Sequence, residues 1–196
     1  MTADAFRINR APVLTLWAAV VAESFGFDPD EALTLGKALA GLTAQAKGQR
    51  LGIFTPSPEA VRKERAKKAK ATGVLRVALL GRAVPVVRTD FGLRAVDKDQ
   101  KPMAPTSVAK YFQSKFGERL PEVRGAMEKL AQSQGPEILA TCAFKLYEAF
   151  RPEIPEGEGG MGCERDVKLG KNSAVGQVEL RRKAPAEGTG RESVSD

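Results

Sequence analysis

"PVLTLWAAVVAESFGFDPDEALTLGKALAGLTAQAK", Pro12 to Lys47, holds a long apolar run, a short break at Gly26-Phe27-Asp28, and a second run with apolar and small residues at helical spacing. Both runs carry apolar side chains around much of a helical circumference. That pattern marks helices covered on several sides, not a single stripe facing one neighbour. The stretch is read as a buried antiparallel hairpin of helices at about 12–25 and 29–47. Asp28-Pro29-Asp30-Glu31 opens the second helix as a variant capping box, with proline in the first turn and acids against the positive helix end. Gly36, Ala40 and Ala44 recur every fourth residue and leave room for a neighbouring backbone. Trp17 is expected between the two helices, with its indole N–H bonded to a partner. Helices this long with so apolar a connection do not suit a DNA-reading helix-turn-helix.

Upstream, Arg7 and Arg10 precede the run and Ala22-Glu23-Ser24 follows it, which is the layout of a secretory leader. Asp4 dilutes the positive end, and the run passes straight into a second helical pattern, so the run is read as core. It falls far short of the roughly 20 apolar residues of a membrane span, and no membrane association is expected.

Downstream, Pro58, Pro121 and Pro136 precede helix-type patterns as Pro12 and Pro29 do, and a further helix opens at Thr106 or Ser107 and runs to Gly117. Val108, Tyr111 and Phe112, then Val123, Met127 and Leu130, then Ile138, Leu139, Cys142, Leu146 and Phe150 form three core stripes. Between them "VLRVALL", "AVPVVRT" and "LRAV" have the composition of short strands, divided by Gly81-Arg82 and by Asp90-Phe91-Gly92. Pro85 implies a strand at an edge, or one whose missing N–H faces solvent. The expected architecture is α+β: one mainly helical domain of about six helices over residues 1–151, with a small antiparallel β ribbon in its middle. Residues 152–196 lack aromatics and are rich in Gly, Pro and charge, so that tail is expected to be mostly disordered, with "GQVELRRK" as a candidate edge strand.

The chain contains no histidine. This removes the usual general base, the Ser-His and Cys-His nucleophile pairs and nearly all catalytic zinc sites. No catalytic residue, cofactor or metal site is assigned, and an enzyme working through carboxylates or lysine is the third-ranked reading. Cys142 and Cys163 lie far apart without histidine neighbours, which points to free thiols in a reducing, cytoplasmic setting; Cys142 is read as a small buried hydrophobe. The acids Asp97 and Asp99 sit in a Lys-rich turn and are read as surface structure. Three motif echoes fail. Ser107-Val108-Ala109-Lys110 lacks the companions of the penicillin-recognising enzymes, Asp90-Phe91-Gly92 has no H-R-D partner and is a turn, and Gly170-Lys171-Asn172 lacks the hydroxyl and first glycine of a phosphate loop.

What remains is charge. The net charge is +7, and it is unevenly placed. Residues 1–61 hold five cations against six anions, 62–71 six against one, 72–151 thirteen against eight, and 152–196 seven against nine. In "VRKERAKKAKATG", Arg62, Lys63, Arg65, Lys67, Lys68 and Lys70 point around nearly the whole helix, leaving Ala66 and Ala69 for the core. Only Glu64, set against Lys67 or Lys68, relieves the crowding of like charge. A membrane-surface helix would need an apolar face that this one lacks. Arg76, Arg88 and Arg94 in the adjoining ribbon extend the surface, with Arg76 and Arg88 expected on one face. The leading expectation is a non-enzymatic protein that associates with nucleic acid, duplex in preference to single strand, through phosphate contacts. The alternatives are a solvated connector helix, and a protein-interaction module or homodimer acting through the apolar hairpin 12–47.

Overall fold

The computed structural model describes residues 7–152 and 165–166. Along the chain come β1 (Arg7–Ile8), α1 (Arg10–Ser24), α2 (Pro29–Arg50), α3 (Glu59–Ala71), β2 (Leu75–Leu79), β3 (Arg82–Thr89), β4 (Gly92–Ala95), α4 (Pro105–Phe116), α5 (Leu120–Gln134), α6 (Pro136–Phe150) and β5 (Arg165–Asp166). The class is the expected α+β, mostly helical, with the antiparallel ribbon β2-β3-β4 in the middle. No helix among the described residues is long and apolar enough to cross a membrane. The fourth helix starts at Pro105, one or two residues before the expected Thr106 or Ser107, because proline again takes the first position.

α1 is the axis of the molecule. Every residue from Pro12 to Ala22 is buried, as an all-round apolar helix requires. α2 closes one side, and Gly36 allows it: a Cβ there would collide with the Thr15 carbonyl oxygen and lie 3.0 Å from the Ala19 nitrogen. The connection is short because both helix ends are self-contained. The Gly26 N–H reaches the Glu23 carbonyl (2.9 Å) and the Phe27 N–H the Ala22 carbonyl (3.2 Å), a Schellman closure with Gly26 at φ +89°. The capping box at Asp28 and Glu31 then starts α2.

Trp17 is fully buried, but its partners lie on α6 and not between α1 and α2. Its Nε1–H donates to the Ala143 carbonyl at 2.8 Å, and its ring meets Phe150 edge-on at 5.3 Å. The α6 stripe is accordingly rotated from the expected one. Leu139, Ala143 and Tyr147 are buried, Cys142 is only half-buried, and Ile138 is exposed. Arg124 on α5 pairs with Glu23 at the end of α1 and with Glu128, so α5 is tied to the same axis.

The ribbon is joined to the helices through β4. Glu31 in the first turn of α2 accepts the Leu93 N–H (2.7 Å) with one carboxylate oxygen, and the Asp28 N–H (3.3 Å) with the other. One turn on, the Thr34 hydroxyl accepts the Ala95 N–H at 3.1 Å and donates to the Glu31 carbonyl at 2.9 Å. Two alternate N–H groups of an edge strand thus find helix side chains where a further strand would sit. Gly92 is required at this junction: it sits at φ +93°, and a Cβ there would lie 2.5 Å from Glu31 Oε1.

β3 is the central strand, contrary to the edge position that Pro85 suggested. The Pro85 carbonyl accepts the Val96 N–H at 3.1 Å. A strand residue's N–H points to the same side as its C=O, so the absent donor falls beyond Ala95, where the β3–β4 ladder has already ended. The expectation for residues 152–196 lies outside the described residues except at Pro152 and Arg165–Asp166. β5 returns to pair with β1, Arg7 opposite Asp166 and Ile8 opposite Arg165. The "GQVELRRK" expectation lies wholly outside.

Trp17→Ala should cost about 3–5 kcal/mol in chemical denaturation, as large core truncations do. Glu31→Ala should cost about 1–3 kcal/mol, since it leaves the Leu93 N–H without an acceptor and opens the capping box. Glu31→Gln should fall between that variant and the parent, because its single carbonyl oxygen keeps only one of the two bonds.

Candidate nucleic-acid interface

α3 carries its charge into solvent. No described side chain on it is buried; Arg62, Lys63, Arg65, Lys67 and Lys68 are all exposed, while the Lys70 side chain lies outside the described set. Ala66 is exposed too, and Ala69 is only half-buried, so the expected contact of both alanines with the core is reduced to one partial contact. The acid that relieves the helix is also a different one. Glu59 pairs with Lys63 at 2.8 Å across one turn, with both side chains about four-fifths exposed, whereas Glu64 makes no ion pair among the described residues. Arg62, Arg65, Lys67 and Lys68 likewise make none. Cations at i,i+3 and i,i+4 therefore face each other uncompensated, as Arg62 and Arg65 or Arg65 and Lys68 do.

Two devices fix this helix relative to the body. At its end the Val74 N–H reaches back to the Ala69 carbonyl at 3.0 Å with Gly73 at φ +66°, so the chain turns directly into β2. On its side, Gln100 Nε2 donates to the Arg65 carbonyl at 2.9 Å, and its Oε1 accepts from the Thr72 hydroxyl at 3.3 Å. Gln100 occupies a turn at φ +64°, closed by Asp97 Oδ1, which accepts the N–H groups of Asp99 (2.8 Å) and Lys101 (2.9 Å). The Asp97 carboxylate is thus spent on the turn that holds Gln100, to which Asp99 gives its backbone N–H.

The ribbon contributes less than its arginine content implied. Arg76 is directly opposite Pro85 in the register, and Arg88 is three residues beyond Pro85, so Arg76 and Arg88 point to opposite faces. The expectation that they share one is overturned. Arg76 is exposed on the outer face beside Ala78 and Ala83. Arg88 is on the inner face, opposite Leu93, and reaches solvent only because it lies at the hairpin end. Arg94 leaves the surface altogether: it is 7% exposed, with Nη1 donating to the Leu93 carbonyl (3.0 Å) and Nη2 3.4 Å from Asp30 Oδ2. A guanidinium engaged with α2 is an internal tie and not a phosphate contact.

A second cationic group escapes sequence reasoning. Arg10, Lys47, Arg50, Arg82 and Arg151 line one cleft where α2 ends. Part of this is within reach of the sequence, because an antiparallel hairpin sets the start of α1 beside the end of α2; the approach of Arg82 and Arg151 is not. The apolar surface of α1 that suggested a docking hairpin is covered within the chain. No protein-family model, no curated protein and no solved structure matches this chain, so its cations are to be understood from where the fold puts them.

Proposed function

We propose that the protein associates with nucleic acid, duplex in preference to single strand, through phosphate contacts made by α3 and the adjoining Arg76. The observation that carries this reading is a run of exposed cations, of which Lys63 alone among the described side chains is ion-paired, on a helix that contributes almost nothing to the core. A helix that serves only as a connector gains nothing from such crowding; a helix that follows a phosphate backbone gains a released counterion for each phosphate it neutralises. Arg62, Lys63, Arg65, Lys67 and Lys68 form the surface with Arg76, with Lys70 included on sequence alone, while Arg88 and Arg94 drop out on geometry. No aromatic side chain interleaves with the α3 cations, so base stacking has no platform on that helix. A protein-docking reading would rest, among the described residues, on the exposed Leu51, Ile53 and Phe54 between α2 and α3.

The variant Arg65→Gln/Lys67→Gln/Lys68→Gln should weaken duplex binding equally across unrelated sequences and lower the slope of log affinity against log salt by up to about 3, near 0.9 for each phosphate no longer neutralised. Its denaturation midpoint should match the parent's, since exposed charges contribute little to folding. Fluorescence anisotropy at several salt concentrations reads both affinity and slope. An unchanged slope, or no duplex binding by the parent at low salt, would return α3 to the role of a solvated connector.

A further inference from the structure

The cleft at the end of α2 gathers five cations from elements far apart in sequence: Arg10 on α1, Lys47 and Arg50 on α2, Arg82 on β3 and Arg151 just after α6. Its volume is about 380 Å³, within the range of small-molecule sites. Among the described residues one acid shares the lining, Glu148, and it lies 3.3 Å from Arg151. Lys47, Arg50 and Arg82 make no ion pair among the described residues.

Local structure accounts for two of the five, Arg151 through Glu148 and Arg10 through its Nε–H bond to the Pro152 carbonyl, and not for Lys47, Arg50 and Arg82. Cations in the last turn of a helix often serve its orphan carbonyls, but here three of the last four are already bonded to backbone N–H groups. Lys47 O accepts from the Leu51 N–H (3.0 Å), Gly48 O from the Ile53 N–H (2.8 Å) and Gln49 O from the Gly52 N–H (3.1 Å). The Lys47 ammonium is held below the usual lysine range by burial and then by Arg10, Arg151 and Arg50, so these charges act on one another in a common field. Tyr147 forms part of the wall, donating its hydroxyl to the Arg10 carbonyl at 3.3 Å; burial pushes its phenol up to about 12, so it adds no negative charge there.

We propose that this cleft binds a compact, multiply charged phosphate compound, of the size and charge of a diphosphate group. Guanidinium forks match phosphate oxygens two at a time, and Lys47 supplies a point charge among them. Walls that include Leu14, Phe144 and Tyr147 lower the local dielectric and strengthen each interaction. The assignment is independent of the α3 reading, because no α3 residue lines the cleft.

Inorganic pyrophosphate titrated into the full chain by calorimetry is the direct test, with orthophosphate and a short DNA duplex as comparison arms. The expected result is saturable binding of one equivalent of pyrophosphate, tighter than orthophosphate, with a rise in the melting temperature. Lys47→Gln/Arg82→Gln should weaken it by about tenfold or more, and Arg82→Lys by less, because the fork is removed but the charge kept. Arg65→Gln/Lys67→Gln/Lys68→Gln should leave it unchanged. Without ligand, all variants should keep the parent's circular dichroism and denaturation midpoint, which separates a binding defect from a folding defect. The proposal is overturned by absence of saturable pyrophosphate binding, by unchanged affinity in Lys47→Gln/Arg82→Gln, or by an equal weakening in the α3 variant, which would mark diffuse charge attraction. Displacement of pyrophosphate by the duplex would overturn it as well, by assigning the cleft to the nucleic-acid surface.

Discussion

A helix with no polar face cannot lie on a surface, and α1 is such a helix. Each of its large side chains contributes about 1.5–3 kcal/mol only when it is covered, so the rest of the chain is arranged by the need to cover it. α2 lies against it through Gly36, α6 through the Trp17 indole and Phe150, and α5 through the Arg124–Glu23 pair. The element left without a share is α3. Its exclusion from the core and its freedom to carry charge are one fact seen from two sides.

The ribbon joins this bundle by an asymmetric arrangement. On one edge, Glu31 and Thr34 stand in for a strand and satisfy β4. On the other, β2 has no partner among the described residues, and it is short, with Arg76 on its outward face. Natural sheets protect an open edge with brevity and charge, and Arg76 serves that purpose whether or not it also meets phosphate. Because α2 meets the sheet through its first turn, the capping box is more than a helix start: the same carboxylate fixes where α2 begins and where β4 begins.

Most helices were legible in the sequence because proline, acid and glycine mark their ends locally, and the charge of α3 was legible because nothing apolar competes with it. The faces of the ribbon were not. Strand register turned on a two-residue turn at Leu80-Gly81 with φ +46° at leucine, a residue that gives no warning of it, and one residue of register decides whether Arg76 and Arg88 lie together. Arg94 looked like its neighbours until Asp30, distant in sequence, was brought to it. The rotation of the α6 stripe likewise followed from where Trp17 found a carbonyl, which periodicity alone does not encode. The cationic cleft combines residues from both halves of the chain, and only the pairing of Arg10 with Lys47 and Arg50 was implied by the hairpin.

The side-chain bridge from Gln100 to α3 bears on how that helix holds its shape. A helix of thirteen residues that buries no described side chain has little beyond its own backbone bonds to keep it wound, and isolated helices of about 12–15 residues are marginal in water. Its like charges oppose winding, and small ions in solution relieve them. Helix content in this segment is therefore expected to rise with ionic strength. A polyanion seated on α3, as proposed, would relieve the same repulsion, and whatever ordering of the helix it brought about would subtract from the affinity read.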